Sequence, residues 1–544
     1  MPVASYAIPE APAHPGQPRS CAAGAGPGPS QLARLAEALE ALTQCCADLP
    51  VLAIPWMSVR HPLHEVHEMF AREEFANLQN RSWLALVPRA VRLAAETMRI
   101  SARLLWVRWT LRKAIATVRR QPIEMIAKTW CFQPQPSTDG RDFYYGDLQQ
   151  RLAQRGVRML LLCGDVRADQ WRAFVRGHAA TGALPRLPEL CLVPPWAPWR
   201  VMAGQVIAWW RLRRAAHQMK DAFMQALSHR ASWECLTPQV LRTALGYWIG
   251  RTSVQWWRPR AFLMLYEGHS WERCAARGVR AAGTPCQIVN YQHTVLFRES
   301  LALTRACGDP QHAAFPDIVL GLGPVPIRLM QERHAPHGVR LLPFGSFRAS
   351  GAVSETPADP RRRTVLVTPE GIRSEIEILF AFAAACAQRM PAYTFILRSH
   401  PEVPMAQALR YAPPGTAQLP NIVLSQQRRI EEDFEQASVL LYRGSSTVLY
   451  GIAKGLLPVF VQQAAAVDSD PLYALKTWHE RVGSPEEVVD VLARYEGMED
   501  AARMQAWRAG AQFVADYTGP VTDERLDAFL LAAGFNTEPT ACAA

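Results

Sequence analysis

The sequence predicts an α/β fold made of two parallel-sheet domains that face a cleft, with an added helical, basic N-terminal region. Three observations predict it: a length of 544 residues, short apolar runs that alternate with helix-like segments, and a polar break at 350–363. One hydrophobic core stops growing at about 250–300 residues, so this chain needs at least two. The break separates an N-terminal α/β domain over 31–350, with helical insertions, from a C-terminal α/β domain over 361–535.

The first 30 residues are rich in Pro, Ala and Gly and have almost no large apolar side chains. They bury too little apolar surface to offset their ordering entropy, so we predict a disordered tail over 1–30. The tail lacks the charged start and apolar centre of a secretory signal, and we therefore expect a cytoplasmic protein. Beyond it, the pattern predicts a short helix over Gln31–Leu42, a strand over Val51–Trp56 and a helix over Phe70–Val118 that breaks at Pro88.

Continuous apolar runs bounded by turn residues are typical of buried parallel strands. Helix-like segments, such as Asp142–Arg155, separate several of these runs in the N-terminal domain. The predicted strands of that domain are Val157–Cys163, Ala261–Tyr266, Gln287–Tyr291, Ile318–Gly321 and Val339–Phe344.

The alternation of apolar runs and helices is more regular after the break. Five strands with helices between them predict a doubly wound parallel sheet. The predicted strands of this domain are Thr364–Thr368, Tyr393–Arg398, Asn421–Ser425, Val439–Tyr442 and Leu457–Val461.

Polar residues follow three of the C-terminal strands, where ligands of an open parallel sheet bind. They are Glu370 and Gly371 after the first strand, His400 after the second, and Gly444, Ser445, Ser446 and Thr447 after the fourth. The last group precedes a helix, and a glycine turn at a helix start favours phosphate binding. Ser446 could instead only cap that helix, and His400 could be structural. Their coincidence at one crevice predicts a nucleotide-binding site.

Two titratable residues follow neighbouring strands of the N-terminal domain. Glu267 comes after Ala261–Tyr266, and His293 comes after Gln287–Tyr291. Either could remove a proton from an acceptor hydroxyl. The alternative for Glu267, and the favoured one for Glu272, is an acidic residue placed at a helix start by the helix dipole.

The net charge of +11 comes mainly from arginine and is concentrated at 89–120 and 196–220, both rich in Trp and aliphatic residues. Neither segment has the roughly 20 apolar residues needed to span a bilayer. Each could lie on an anionic membrane surface or pack on the protein's own core. Because no nucleic-acid-binding motif is present, we expect no nucleic-acid partner.

The twelve cysteines show no CxxC pair and no Cys/His metal spacing, so we expect reduced cysteines and no metal site. The acidic run Glu431-Glu432-Asp433 is typical of a charged helix start rather than of a metal ligand set.

These motifs resemble known families. The stretch 266–294 resembles the matching stretch of bacterial surface carbohydrate biosynthesis proteins, as do 128–130 and 144–148. The residues at 370–371, 400–401 and 445–446 are similar in kind to those of GT-B sialyltransferases, polysialyltransferases and Kdo transferases of capsule and lipopolysaccharide assembly. The resemblance covers roughly 128–461 and implies two Rossmann-like domains.

By this resemblance, His400 and Ser445 or Ser446 would hold the phosphate of the nucleotide. The related transferases carry their base in an acid–Gly pair of the N-terminal domain, which favours Glu267 over His293. Both Glu267-Gly268 and Glu370-Gly371 are such pairs, so their correspondence to the family stays open.

The sequence thus predicts a metal-independent glycosyltransferase without a cofactor, using a nucleotide-sugar donor and a glycan or glycolipid acceptor of the surface polysaccharide or lipopolysaccharide. It would be cytoplasmic or peripheral on the inner face of the membrane. The alternatives are a glycerophosphotransferase or epimerase on the same fold, and a non-catalytic scaffold of a surface-polysaccharide complex.

Overall fold

The computed structural model of the chain describes residues 41–42, 46, 86–137, 139–166, 170–298, 314–333, 338–348, 353–401, 403–427, 429–463 and 468–535. Within them the chain forms two parallel β-sheets with helices between the strands, which confirms the predicted fold class. The predicted tail over 1–30, most of the predicted helix Gln31–Leu42 and the predicted strand Val51–Trp56 lie outside the described residues.

Seven parallel strands form the first sheet: β1 Met125–Cys131, β2 Met159–Asp165, β3 Arg186–Pro188, β4 Ala261–Leu265, β5 Gln287–Tyr291, β6 Ile318–Gly321 and β7 Arg340–Pro343. Their order is β3-β2-β1-β4-β5-β6-β7, so the direction of winding switches between β1 and β4. Ligands of such sheets bind beyond the carboxyl ends of the strands at this switch point.

Six parallel strands form the second sheet: β8 Thr364–Thr368, β9 Thr394–Leu397, β10 Ile422–Leu424, β11 Val439–Tyr442, β12 Leu457–Val461 and β13 Glu480–Val482. Their order is β10-β9-β8-β11-β12-β13, with the switch point between β8 and β11. Every residue of β4, β11 and β12 is buried, because helices cover both faces of a parallel sheet.

Helices connect these strands and form an additional layer before β4. They are α1 Leu86–Thr110, α2 Arg112–Arg119, α3 Leu148–Gln154, α4 Trp171–Gly177, α5 Ala197–Gln218, α6 Ala222–Cys235, α7 Pro238–Ala244, α8 Gly246–Trp257, α9 Ser270–Arg280, α10 Pro324–Arg333, α11 Arg373–Arg389, α12 Met405–Ala408, α13 Ile430–Gln436, α14 Thr447–Ala453, α15 Pro485–Gly497, α16 Asp500–Tyr517 and α17 Asp523–Ala532.

Helices α8 and α9 approach each other closely enough for their backbones to touch. A Cβ atom on Gly250 would lie 2.2 Å from the carbonyl oxygen of Ala275, and one on Gly278 would lie 1.9 Å from that of Tyr247. Only glycine permits this approach. The contact fixes α9, whose first residue, Ser270, lies three positions after Glu267.

The last helix in the described residues, α17, packs on the first sheet. In α17, Asp523 pairs with Arg151 and Arg155 of the α3 region at 2.6 and 2.8 Å. The ring of Phe529 lies 5.6 Å from that of Phe344, which follows β7. The chain therefore returns from the second sheet to the first at its end.

Candidate active site

Glu267 and His293 meet at the rim of the first sheet, as the sequence suggested. They follow β4 and β5, and the Nε2 atom of His293 lies 2.9 Å from Oε1 of Glu267. The other carboxylate oxygen of Glu267 lies 2.6 Å from Nε2 of His269, a residue that the sequence analysis did not select. The side chains of Glu267 and His269 are 27% and 22% exposed, whereas that of His293 is only 5% exposed. Glu267 thus holds two imidazoles in place.

These contacts decide which of the three groups can accept a proton. Burial raises the pKa of Glu267, but His293 and His269 outweigh it and hold that pKa well below its usual range. Burial lowers the pKa of His269, yet the adjacent Glu267 more than reverses this and raises it. For His293, burial prevails over Glu267 and lowers the pKa. An ionised carboxylate with so low a pKa is a weak base, so the imidazoles are the better proton acceptors.

Glu272, in the first turn of α9, fixes the loop that carries Glu267. Its carboxylate accepts hydrogen bonds from the backbone N–H groups of Glu267 and Gly268, at 3.1 and 3.0 Å. Burial raises the pKa of Glu272 to about 7. This agrees with the structural role that the sequence favoured for Glu272.

A buried lysine lies beneath this rim. Lys128 of β1 forms an ion pair with Glu189 at 3.0 Å, and its ammonium group lies 3.4 Å from the centre of the Trp130 ring and 3.9 Å from that of Trp271. Burial lowers the pKa of Lys128, although Glu189 opposes the shift. The ion pair and the two rings offset the desolvation free energy of the buried ammonium group.

The rings of Phe143 and Tyr144, here called the aromatic wall, lie beside His293 together with Arg348. The ring of Tyr144 lies 4.7 Å from that of His293. The guanidinium group of Arg348 lies 4.8 Å from the centre of the Phe143 ring and 5.0 Å from that of Tyr144. The segment 142–148 therefore lies beside the predicted base residues. Sequence reasoning missed Arg348, since no motif surrounds it.

Three predicted segments also converge at the rim of the second sheet. A Cβ atom on Gly444 would lie 2.8 Å from the carboxyl group of Glu370, and one on Gly371 would lie 2.8 Å from Nδ1 of His400. Gly444 has a φ of +64°, a conformation that favours glycine. Glu370, Gly371, His400 and Gly444 are therefore neighbours.

The hydroxyl groups of Ser445 and Ser446 differ in their exposure and in the hydrogen bonds that they already make. Ser445 is buried, and its hydroxyl donates to Oγ1 of Thr447 at 2.9 Å and accepts from the Thr447 N–H at 3.2 Å. Ser446 occupies the N-cap position of α14, but its side chain makes no capping hydrogen bond and is exposed. The capping role considered for Ser446 thus belongs to Ser445. Because α14 spans only seven residues, its dipole is a minor contribution.

Among the residues that the structure describes, none forms an ion pair with Glu370. Burial raises its pKa well above the usual range, Glu375 and Glu267 raise it further, and Arg443 only partly opposes them. Arg443, which directly precedes Gly444, is buried in an ion pair with Glu375 at 2.7 Å. Burial lowers the pKa of His400. Burial at this rim therefore favours the uncharged forms of both groups.

The two rims face one cleft. Glu267 of the first sheet is close enough to Glu370 of the second to raise the pKa of that group. The hydroxyl of Tyr450, in α14, donates to the carbonyl oxygen of Arg348 at 3.5 Å. The predicted proton-transfer residues and the predicted phosphate-binding residues thus lie near each other.

An acid–x–acid pair that the sequence reasoning missed follows β12. Asp468 and Asp470 each lie 3.0 Å from the guanidinium group of Arg481. Asp470 is fully buried and also accepts from the hydroxyl of Tyr442 at 2.7 Å. The guanidinium group of Arg481 thus neutralises the two carboxylates, as a bound metal ion would.

The run Glu431-Glu432-Asp433 does lie in the first turn of a helix, as predicted.

The two basic segments form helices that pack on the core with one face and expose apolar residues on the other. In α5, Val201, Ala208 and Leu212 are buried. On the outer face of α1 and of the α5 segment, the exposed large apolar residues are Val87, Val91, Met98, Leu105, Trp109, Trp196, Trp199, Val206, Ile207 and Trp210. Pro88 lies in the first turn of the described helix α1, and the part of the predicted helix before Leu86 lies outside the described residues. None of the helices in the described residues is long and apolar enough to cross a membrane.

No protein-family model and no curated protein matches the sequence. Among solved structures, the glycotransferase of kitacinnamycin is 15% identical, with a TM-score of 0.40 over 76% of this chain and 100% of that chain. The UDP co-structure of MnaA from S. aureus is 9% identical, with a TM-score of 0.43 over 76% and 98%. MurG from Acinetobacter baumannii is 10% identical, with a TM-score of 0.36 over 75% and 99%. Because these TM-scores are below 0.5, the fold assignment rests on the two sheets themselves.

Proposed function

We propose that this chain is a glycosyltransferase that moves a sugar from a nucleotide-sugar donor to a surface polysaccharide or lipopolysaccharide acceptor. The observation that supports this most is the pairing of two unlike rims around one cleft. One rim carries a carboxylate that orients two imidazoles, and the other carries a carboxyl group with a raised pKa packed against a glycine turn. The first suits proton removal, and the second suits a phosphate.

The donor would bind at the second sheet, where Gly444 lets a phosphate approach the backbone. A carboxylate next to a phosphate would repel it, but the raised pKa of Glu370 favours the protonated form of that group. Glu370 can then donate a hydrogen bond to a phosphate oxygen, as can His400 and the exposed Ser446. Arg348 supplies the positive charge from the opposite rim, so no metal ion is required at the phosphates.

The acceptor hydroxyl would lose its proton to an imidazole of the first rim. The resemblance favoured Glu267 as the base, but its low pKa suits a positioning role better. We assign the base to His269, because its side chain is 22% exposed and that of His293 only 5%. The acceptor oxygen forms the new bond to the anomeric carbon, the bond to the donor phosphate breaks, and the nucleotide leaves with the electron pair.

The outer face of α1 and α5 supports binding of the protein to a membrane surface. Exposed tryptophans and arginines on one surface suit the headgroup region of an anionic membrane. The protein would lie on the inner face of the cytoplasmic membrane, where glycolipid acceptors are available.

We also propose that the chain has two domains, divided at 350–361. Helix α17, although it follows the second domain in the sequence, packs on the first.

The test is turnover of a panel of nucleotide sugars with a lipopolysaccharide or capsule extract, followed by mass spectrometry. We expect released nucleotide and an acceptor heavier by one sugar. Gly444→Ala should abolish release, because its Cβ would meet the Glu370 carboxyl group. The control Gly497→Ala should not, since no atom lies within 4 Å of its added Cβ. An isomerised donor would indicate an epimerase, a transferred glycerophosphate a glycerophosphotransferase, and the absence of nucleotide binding a scaffold.

A further inference from the structure

Two cysteines and one histidine meet beside the rim of the first sheet, apart from the residues assigned to transfer. Cys131 ends β1, Cys163 lies in the neighbouring β2, and His178 follows α4. One ligand atom from each lies within 4.8 Å of the other two. This is the one group of three possible ligands found among the described residues.

The surroundings of His178 are those of a metal ligand. Its side chain is buried, and Nε2 lies 3.0 Å from the carbonyl oxygen of Gln133, to which it can only donate. That hydrogen bond leaves the lone pair on Nδ1, which is buried and meets no hydrogen-bond partner. Metal-bound histidines nearly always donate their second ring nitrogen in this way, which fixes the tautomer and the ring orientation.

We propose that Cys131, Cys163 and His178 bind a Zn²⁺ ion. Thiolate and imidazole are the ligands that zinc prefers, and three protein ligands leave a fourth position for water. With Zn–S bonds of about 2.3 Å, two sulfur atoms of a tetrahedral site lie about 3.8 Å apart. The three ligand atoms would have to approach each other by no more than about 1 Å. Each thiol releases its proton to solvent when it binds the ion.

Bound zinc would stabilise the aromatic wall of the candidate active site. The residue after Cys131 is Phe132, whose ring lies 5.0 Å from that of Phe143 and 6.2 Å from that of Tyr144. Tyr144 in turn packs on His293. A metal bound there would therefore stabilise the end of β1, and the proposal stands whether or not the chain transfers a sugar.

The test measures zinc in the full-length chain, purified without a histidine tag and without chelators. Plasma mass spectrometry should find one zinc per wild-type chain. Cys163→Ser and His178→Gln should weaken zinc binding by more than the about 10- to 100-fold that loss of a supporting hydrogen bond costs. The control Cys386→Ser, a buried cysteine in α11 of the second domain, should keep its zinc.

Cobalt substitution keeps the proposal testable if a variant fails to fold. Reduced wild-type protein loaded with Co²⁺ should show thiolate-to-cobalt charge-transfer absorption and the intense visible bands of a tetrahedral site. The proposal is overturned if wild-type protein binds neither metal, or if folded Cys163→Ser retains the cobalt spectrum. It is also overturned if Cys131 and Cys163 are found joined as a disulfide after purification under reducing conditions.

Discussion

Glu370→Gln should change how nucleotide binding depends on pH. In the wild type, the raised pKa of Glu370 favours the uncharged form, and a negative charge forms as the pH rises through that pKa. A phosphate in contact with Gly444 would lie about 5 Å from this charge. At an effective dielectric constant of about 20, the repulsion is roughly 3 kcal/mol, and ionic screening reduces it to about 1–2 kcal/mol, or about tenfold in affinity.

Calorimetric titration with CMP, CDP, UDP and GDP from pH 6 to 9 tests this. Wild-type affinity should fall about tenfold relative to Glu370→Gln as the pH rises, because glutamine never ionises. Dividing the affinity of the wild type by that of Glu370→Gln at each pH cancels the effect of the nucleotide's own phosphate titration. Glu377→Gln, on the exposed face of α11, is the matched control and should follow the wild type. A constant ratio across this range would refute the assignment of Glu370 to the phosphate site.

Three further predictions concern the base, the membrane and the metal dependence. Glu267→Gln should lower the pKa of His269, because the carboxylate that raises it most is removed; an unchanged NMR titration of the His269 ring would exclude the proposed contact. Replacing the exposed Arg200 and Arg214 by Gln should weaken binding to anionic liposomes about 30-fold, at about 1 kcal/mol per arginine. Leu531→Ser, an exposed apolar site on α17, should have no effect, and wild-type protein that ignores such liposomes would contradict the membrane proposal. Turnover should proceed at the same rate without added Mg²⁺ or Mn²⁺, and a rate that depends on either ion would show that the phosphates need a metal.

The fold could be predicted largely because parallel strands are buried on both faces. The runs Gln287–Tyr291, Ile318–Gly321, Thr364–Thr368, Val439–Tyr442 and Leu457–Val461 coincide with the observed strands. Sequence reasoning missed β1, because Lys128 and Thr129 interrupt its apolar run. A buried lysine is stabilised by Glu189 and two tryptophans that are distant in sequence, which no local pattern reveals. It also missed β3 and β13, edge strands of three residues.

The candidate site was partly predictable for the same topological reason. Residues directly after adjacent parallel strands must meet, so Glu267 and His293 could be placed together, as could Glu370 and Gly444. Side chains that reach the site from elsewhere could not. His269 depends on the turn that Gly268 makes at a φ of +81°, and Arg348 comes from the segment after β7. The group Cys131, Cys163 and His178 joins three separate segments, so no ligand spacing appears in the sequence.

The central claim is that the cleft between the two sheets binds a nucleotide, and nucleotide binding by wild type and His400→Ala tests it most directly. At least one of CMP, CDP, UDP and GDP should raise the melting temperature of the wild type and bind in calorimetry. His400→Ala should lose that binding while keeping the melting temperature of the free protein, and the control His217→Ala, on exposed α5 surface, should bind normally. If none of these nucleotides or their sugars binds the wild type, or if His400→Ala binds with unchanged affinity, the cleft is not the donor site.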